Sequence, residues 1–266
     1  MRLTAPLLVL LLLAAGCRDE VAPPPPDDRA EALPLLDRLD RTALDSTFAA
    51  LARRPYVLTT VTAQLDSLGA VLGQRTEVLR IAPGAAPEVV RVDSVGAFEF
   101  GGFARFAEAD AVVARLASPL GRILPDEPSY LTPRGQESYA YALRDTTVAG
   151  QRLTLVDVAV RPGFDDRRLR RVRFAVDNEA RADEDSGALI RTAHLVRTDR
   201  SVLFDADLTL DFALAPDSTG AWLPSTVTFT NRIDAPGTEA RWFRVTRTYE
   251  PLSNGGRESE ASGSGR

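Results

Sequence analysis

The chain has 266 residues, 44% of them hydrophobic, and a formal net charge of -5 from 32 basic and 37 acidic side chains. That balance gives no general attraction to nucleic acid or anionic lipid, so neither a nucleic-acid binder nor a basic membrane-surface protein is expected. Every basic residue is Arg, which excludes a Schiff-base lysine and a P-loop lysine.

The N-terminus has export-signal grammar. Arg2 supplies a short positive region, Leu7 to Ala15 is apolar or small throughout, and charge returns at Arg18, Asp19 and Glu20. A spanning helix needs about 20 apolar residues, and this run is far shorter. Cys17, the only cysteine, has no thiol to pair with. Ala14-Ala15-Gly16-Cys17 resembles the lipobox of bacterial lipoproteins, with Ala14 where that pattern prefers Leu. The resemblance implies removal of residues 1–16 and acylation of Cys17, with no redox or metal role for the thiol. One acyl chain anchors only marginally, whereas several hold a protein at the membrane. Arg18 in place of Asp after the cysteine implies sorting to the outer membrane, facing the periplasm.

Residues 17–30 form a tether. Four consecutive prolines, Pro23 to Pro26, enforce an extended polyproline II path that can hold a domain up to ~40 Å from a bilayer. The domain itself is expected over residues 31–252, followed by a tail over residues 253–266 whose composition is that of a disordered segment.

Within the domain, Glu31 to Arg54 place Leu33, Leu36, Leu39, Ala43, Leu44, Phe48 and Leu51 on one stripe, which predicts a single N-terminal helix with Pro34 in its first turn. Beyond Pro55 the period switches to two. Val57, Thr59, Val61, Ala63 and Leu65 form an apolar row, so this strand is predicted to bury that face. A turn at Asp66 to Gly69 and a Pro/Gly break at APGAAP give a three-stranded meander. FEFGGFARF then concentrates Phe98, Phe100, Phe103 and Phe106 around two glycines, which permit a sharp bend. Phe106, Val112, Val113 and Leu116 fit a second, inserted helix. A Pro-rich crossing follows, and from Glu137 a run of long strands separated by turn formers reaches Glu250, making about ten strands in all. Neighbouring strands of this length curl into a barrel or a strongly bent sheet.

No catalytic constellation emerges. His194 is the only histidine, and without Cys or a second His nearby it is read as a packing or surface residue. Asp165/Asp166 and Asp183/Glu184/Asp185 fall in predicted turns, and Asp205/Asp207 share one face of a strand, so all are read as solvated acids. RRLRRVR at Arg167 to Arg173 is read as a strand whose guanidiniums pair with acids on its neighbours. No enzyme activity, cofactor or metal is expected.

The order of these elements, with the local stretches VAVRP (Val158 to Pro162), RVRFAVD (Arg171 to Asp177) and AWLPSTVTF (Ala221 to Phe229), resembles the lipoprotein-localisation superfamily. That superfamily includes the periplasmic lipoprotein carrier and the outer-membrane lipoprotein receptor. The resemblance implies a mainly β fold with α elements: an antiparallel, open or incomplete β-barrel covered by the N-terminal helix and the inserted helix. It also implies a cavity for lipid or lipoprotein acyl chains, lined here by Leu36, Phe48, Val57, Val61, Leu65, Phe100, Phe103 and Val113. The anchor at Cys17 points to a membrane-attached binder in the cell envelope and away from a shuttling carrier. The alternative is a structural or interaction lipoprotein with a filled core. A monomer is expected.

Overall fold

The computed structural model describes residues 27–96, 128–177, 188–200, 205–234 and 241–252. The signal, Cys17, the inserted helix with Phe100, Phe103 and Val113, the acids at 183–185 and the C-terminal tail all lie outside these.

Two helices open the described chain, α1 (Arg29–Asp37) and α2 (Arg41–Ala52). The single helix expected from the stripe is broken in two, and the reason is local. Leu39 bridges Ala188, with Asp40 N–H donating to the Ala188 carbonyl at 3.1 Å and Ala188 N–H to the Arg38 carbonyl at 2.9 Å. Asp40 then takes an extended conformation and accepts from Ala43 N–H at 2.9 Å, starting α2 afresh as its N-cap. The tether also ends earlier than expected. Asp28 N–H donates to the Tyr141 carbonyl, Leu143 N–H donates to the Asp28 carboxylate, and Asp27 pairs with Arg161.

Ten strands follow, with a third short helix before the fourth. They are β1 (Tyr56–Leu65), β2 (Val71–Ile81), β3 (Glu88–Gly96), α3 (Pro133–Gln136), β4 (Tyr139–Val148), β5 (Gln151–Val160) and β6 (Leu169–Asp177), then β7 (Ile190–Arg200), β8 (Asp205–Pro216), β9 (Trp222–Asp234) and β10 (Arg241–Pro251). All pairings are antiparallel, in one sheet of order β3-β2-β1-β10-β9-β8-β7-β6-β5-β4. The sheet is not closed: among the described residues β3 and β4 are its two edges. The strands thus form two meanders, β1 to β3 and β4 to β10, joined where β1 pairs with β10 along its whole length.

Tight turns set the register. Asp66 accepts from Leu68 and Ala70 N–H at 2.8 Å each while Gly69 takes a positive φ of 84°, a conformation that costs glycine little. Asp217 repeats the device between β8 and β9, accepting from Thr219 and Ala221 N–H. Hydrogen bonds from the Thr219 hydroxyl, from Arg54 and from these amides hold the Asp217 carboxyl well below the usual carboxylate range.

The two helices cover one face of the larger meander. α1 packs against β4 and α2 against β9. Between them and the sheet lie Leu35, Leu36, Leu44, Tyr139, Tyr141, Val156, Phe174, Ile190, Leu210 and Phe212, all essentially inaccessible. Phe48 on α2 stacks on Phe212 at 5.9 Å and meets Tyr249 edge-on at 6.3 Å. The tyrosine hydroxyls at the β4 edge are partly satisfied. Tyr141 donates to the Tyr130 carbonyl at 2.6 Å and Tyr139 to the Leu169 carbonyl at 3.2 Å, and burial pushes Tyr141 up to about 12. The smaller meander is barer, and every residue of β3 is exposed.

Candidate functional site

Register assigns each strand residue to one of two faces, because directly opposed residues point the same way. One row runs Val156, Phe174, Ala193, Phe212, Val227, Arg247, Thr60 across β5 to β1. Phe212 carries Phe48, so this is the helix face. The adjacent row, Asp157, Arg173, His194, Asp211, Thr228, Thr246, Val61, lies on the far face.

That assignment divides the residues expected to line one cavity. Leu36 and Phe48 lie on the helix side, Leu36 fully buried and Phe48 packed in the core. Val57, Val61 and Leu65 belong to the far face, since they alternate with Thr60 and its neighbours. The structure therefore does not bring them together with Leu36 and Phe48. On the helix side Leu36 and Phe48 pack among the protein's own buried side chains, of which Tyr130, Tyr139, Tyr141 and Phe174 are the largest. The remaining expected residues, Phe100, Phe103, Val113 and Cys17, lie outside the described residues.

The far face holds a groove of about 430 Å³ where the two meanders join. Val61 and Ala63 from β1, Gln74 from β2, Thr228 from β9 and Arg244 and Thr246 from β10 line it. Its volume is within the range of small-ligand sites, roughly 300–1,000 Å³. Arg244 has no acidic partner among the described residues. Sequence reasoning reached Val61 but missed Arg244 and Thr246, because they enter only through the pairing of β1 with β10, about which local pattern carries no information.

Across the larger meander the same face is an ion-pair belt. Arg171 grips Asp157 through Nε at 2.8 Å and Nη2 at 2.5 Å, and Arg173 adds Nε at 3.1 Å. Burial raises the Asp157 pKa, but the Arg171 and Arg173 guanidiniums outweigh it and hold the carboxyl below its ordinary value. Thus Arg171 and Arg173 of RRLRRVR pair across strands as expected, and Arg170 turns back to Asp165 at 3.0 Å. His194 Nδ1 lies 2.7 Å from Asp211, itself more than half exposed. Asp207 accepts from the Thr198 hydroxyl at 2.8 Å and faces Arg232. Asp157, Asp207 and Asp211 are thus engaged in cross-strand pairs, and no metal-binding cluster forms among the described residues. Nor is any described helix long and apolar enough to cross a membrane.

No family model and no curated protein matches the chain. Among solved structures, it is similar to MucB in complex with MucA(peri), with 14% identity over 80% of this chain and 94% of that one and a TM-score of 0.19. A conserved protein of unknown function with a hot dog fold from Alicyclobacillus acidocaldarius aligns at 9% identity over 79% of this chain and 86% of that one, with a TM-score of 0.11. At such TM-scores the likeness bears on neither fold nor function.

Proposed function

We propose that the chain is a lipid-anchored envelope protein that acts by binding and not by catalysis. Its ligand, on this reading, is a hydrophobic molecule with an anionic end, such as a fatty acid or the acyl chain of an acidic lipid, seated in the far-face groove. The observation that carries it is the groove itself: Val61 and Ala63 give an apolar floor, and Arg244, without an acidic partner among the described residues, supplies a cation at its wall. The lipobox at Cys17 and the proline tether support the anchor and the outer-membrane location. The open sheet capped by helices is the architecture that kinship with the lipoprotein-localisation superfamily implies, and it supports that kinship at the level of fold.

The test is direct. The full-length chain, purified in mild detergent, is examined by native mass spectrometry for co-purifying lipid and titrated with a fluorescent fatty acid. Uptake that falls about tenfold in Arg244→Gln, the worth of one charge-assisted hydrogen bond, supports the reading. No lipid and no uptake would overturn it. A second reading, an interaction lipoprotein with a filled core, is favoured by the packing of Leu36, Leu44, Tyr141 and Phe174 beneath the helices. A negative titration with an intact fold leaves that one standing.

A further inference from the structure

We propose that β3 is a docking edge for a second copy of this chain, pairing antiparallel about Val92 so that two sheets become one. No described strand lies on the outer side of β3, whose nine residues, EVVRVDSVG, are all exposed. Such an edge carries a row of backbone donors and acceptors free to receive another strand, and proteins usually blunt it with Lys, Pro or inward charges. Here the strand lacks Pro but carries Glu88, Arg91, Asp93 and a bulge at Val90, and Val89, Val90, Val92 and Val95 are about half exposed or more.

What selects a second copy over another strand is the order of the charges. In a twofold pairing centred on Val92, Arg91 stands opposite Asp93 of the other copy and Asp93 opposite its Arg91. Val92 faces itself, while the bulge at Val90 turns Val89 to the opposite face from Val95, so the regular pairing is confined to Arg91, Val92 and Asp93. Opposite charges and β-branched residues directly across an antiparallel pair are stabilising, and like charges there are destabilising. An isologous contact requires this self-complementarity. Within one chain Arg91 and Asp93 already sit on the same face, 2.9 Å apart. Because opposed residues share a face, both copies present their helices on one side of the joined sheet and their grooves on the other.

The test uses charge reversal on the full-length chain in detergent, with mass measured by light scattering. The wild type is expected to have the mass of two chains. Arg91→Asp places Asp against Asp, and Asp93→Arg places Arg against Arg, so each single variant is expected to have the mass of one. Mixing the two single variants is expected to restore the pair, because each opposed position again joins Asp to Arg. Restoration by mixing separates this contact from the pair within one chain, which both variants lack. Circular dichroism checks that each variant is folded, and Val92→Pro gives a second disruption at the axis. A wild type with the mass of one chain overturns the proposal and leaves the edge to residues 97–127 of the same chain or to a different partner. A dimer indifferent to all three substitutions also overturns it, by placing the contact elsewhere.

Discussion

Replacing Asp157 by Asn removes the charge at the centre of the far-face belt while keeping the side chain's shape. Asp157 is 7% exposed and takes three N–H groups from Arg171 and Arg173. Breaking a fully buried pair costs about 3–5 kcal/mol, because the surviving charge is stranded. Here both arginine side chains are 39% exposed and regain water, so the loss falls to about 2 kcal/mol, near that of hydrogen bonds to a charged group. With a urea slope of about 2–3 kcal/mol/M, the midpoint of denaturation at pH 7 shifts down by roughly 0.7–1 M. The pH dependence supplies a check of sign. Because the folded pKa of Asp157 is depressed, its contribution is complete above its ordinary value of 3.8 and is lost as pH falls through the lower folded value. The gap between wild type and variant therefore closes in acid. A variant with an unchanged midpoint at pH 7, or a gap that persists in acid, refutes the argument.

Two further outcomes follow from packing. Phe48→Ala removes the ring between Phe212 and Tyr249, and since that ring is only partly buried the cost is about 2–3 kcal/mol, a fall in melting temperature of roughly 5–10 °C by circular dichroism. Phe48→Leu recovers more than half. Gly135→Ala drives a methyl to 1.7 Å from the Ser129 carbonyl oxygen and 2.7 Å from the Thr132 hydroxyl, so the loop before β4 must shift, and denaturant stability falls by about 1–3 kcal/mol.

The strands were legible because their alternation and turn formers are local, and β1 and β4 to β10 lie close to where the period of two places them. Alternation tells which residues share a face but not which face meets the helices. On β1 Ala63 and Leu65 are buried on the far face and the other residues of both faces are half-buried, so the apolar row of Val57, Val61 and Leu65 did not say which side the helices cover. The break between α1 and α2 was also missed, although Asp40 before Arg41-Thr42-Ala43-Leu44 has the form of an N-cap. The competing stripe through Leu36, Leu39 and Ala43 outweighed it, and the bridge from Leu39 to Ala188 is a contact that local pattern does not contain. The filled core was invisible for a simpler reason: apolar residues that line a cavity and those that plug it have the same sequence pattern.

The joining of β1 to β10 has a consequence for how the protein is made. Tyr56 and Pro251 are partners about 195 residues apart in the chain, and contacts of such long range slow folding because the loop between them must first be closed. A chain leaving the ribosome emerges N-terminus first, so the first meander waits beside a missing neighbour until nearly the whole sequence has been made. During that interval β1 and β3 are both open edges and their valines face water, which makes this stage the one most exposed to aggregation. A chain cut short before Arg241 stays in that condition permanently, because it has lost the strand that joins its two halves.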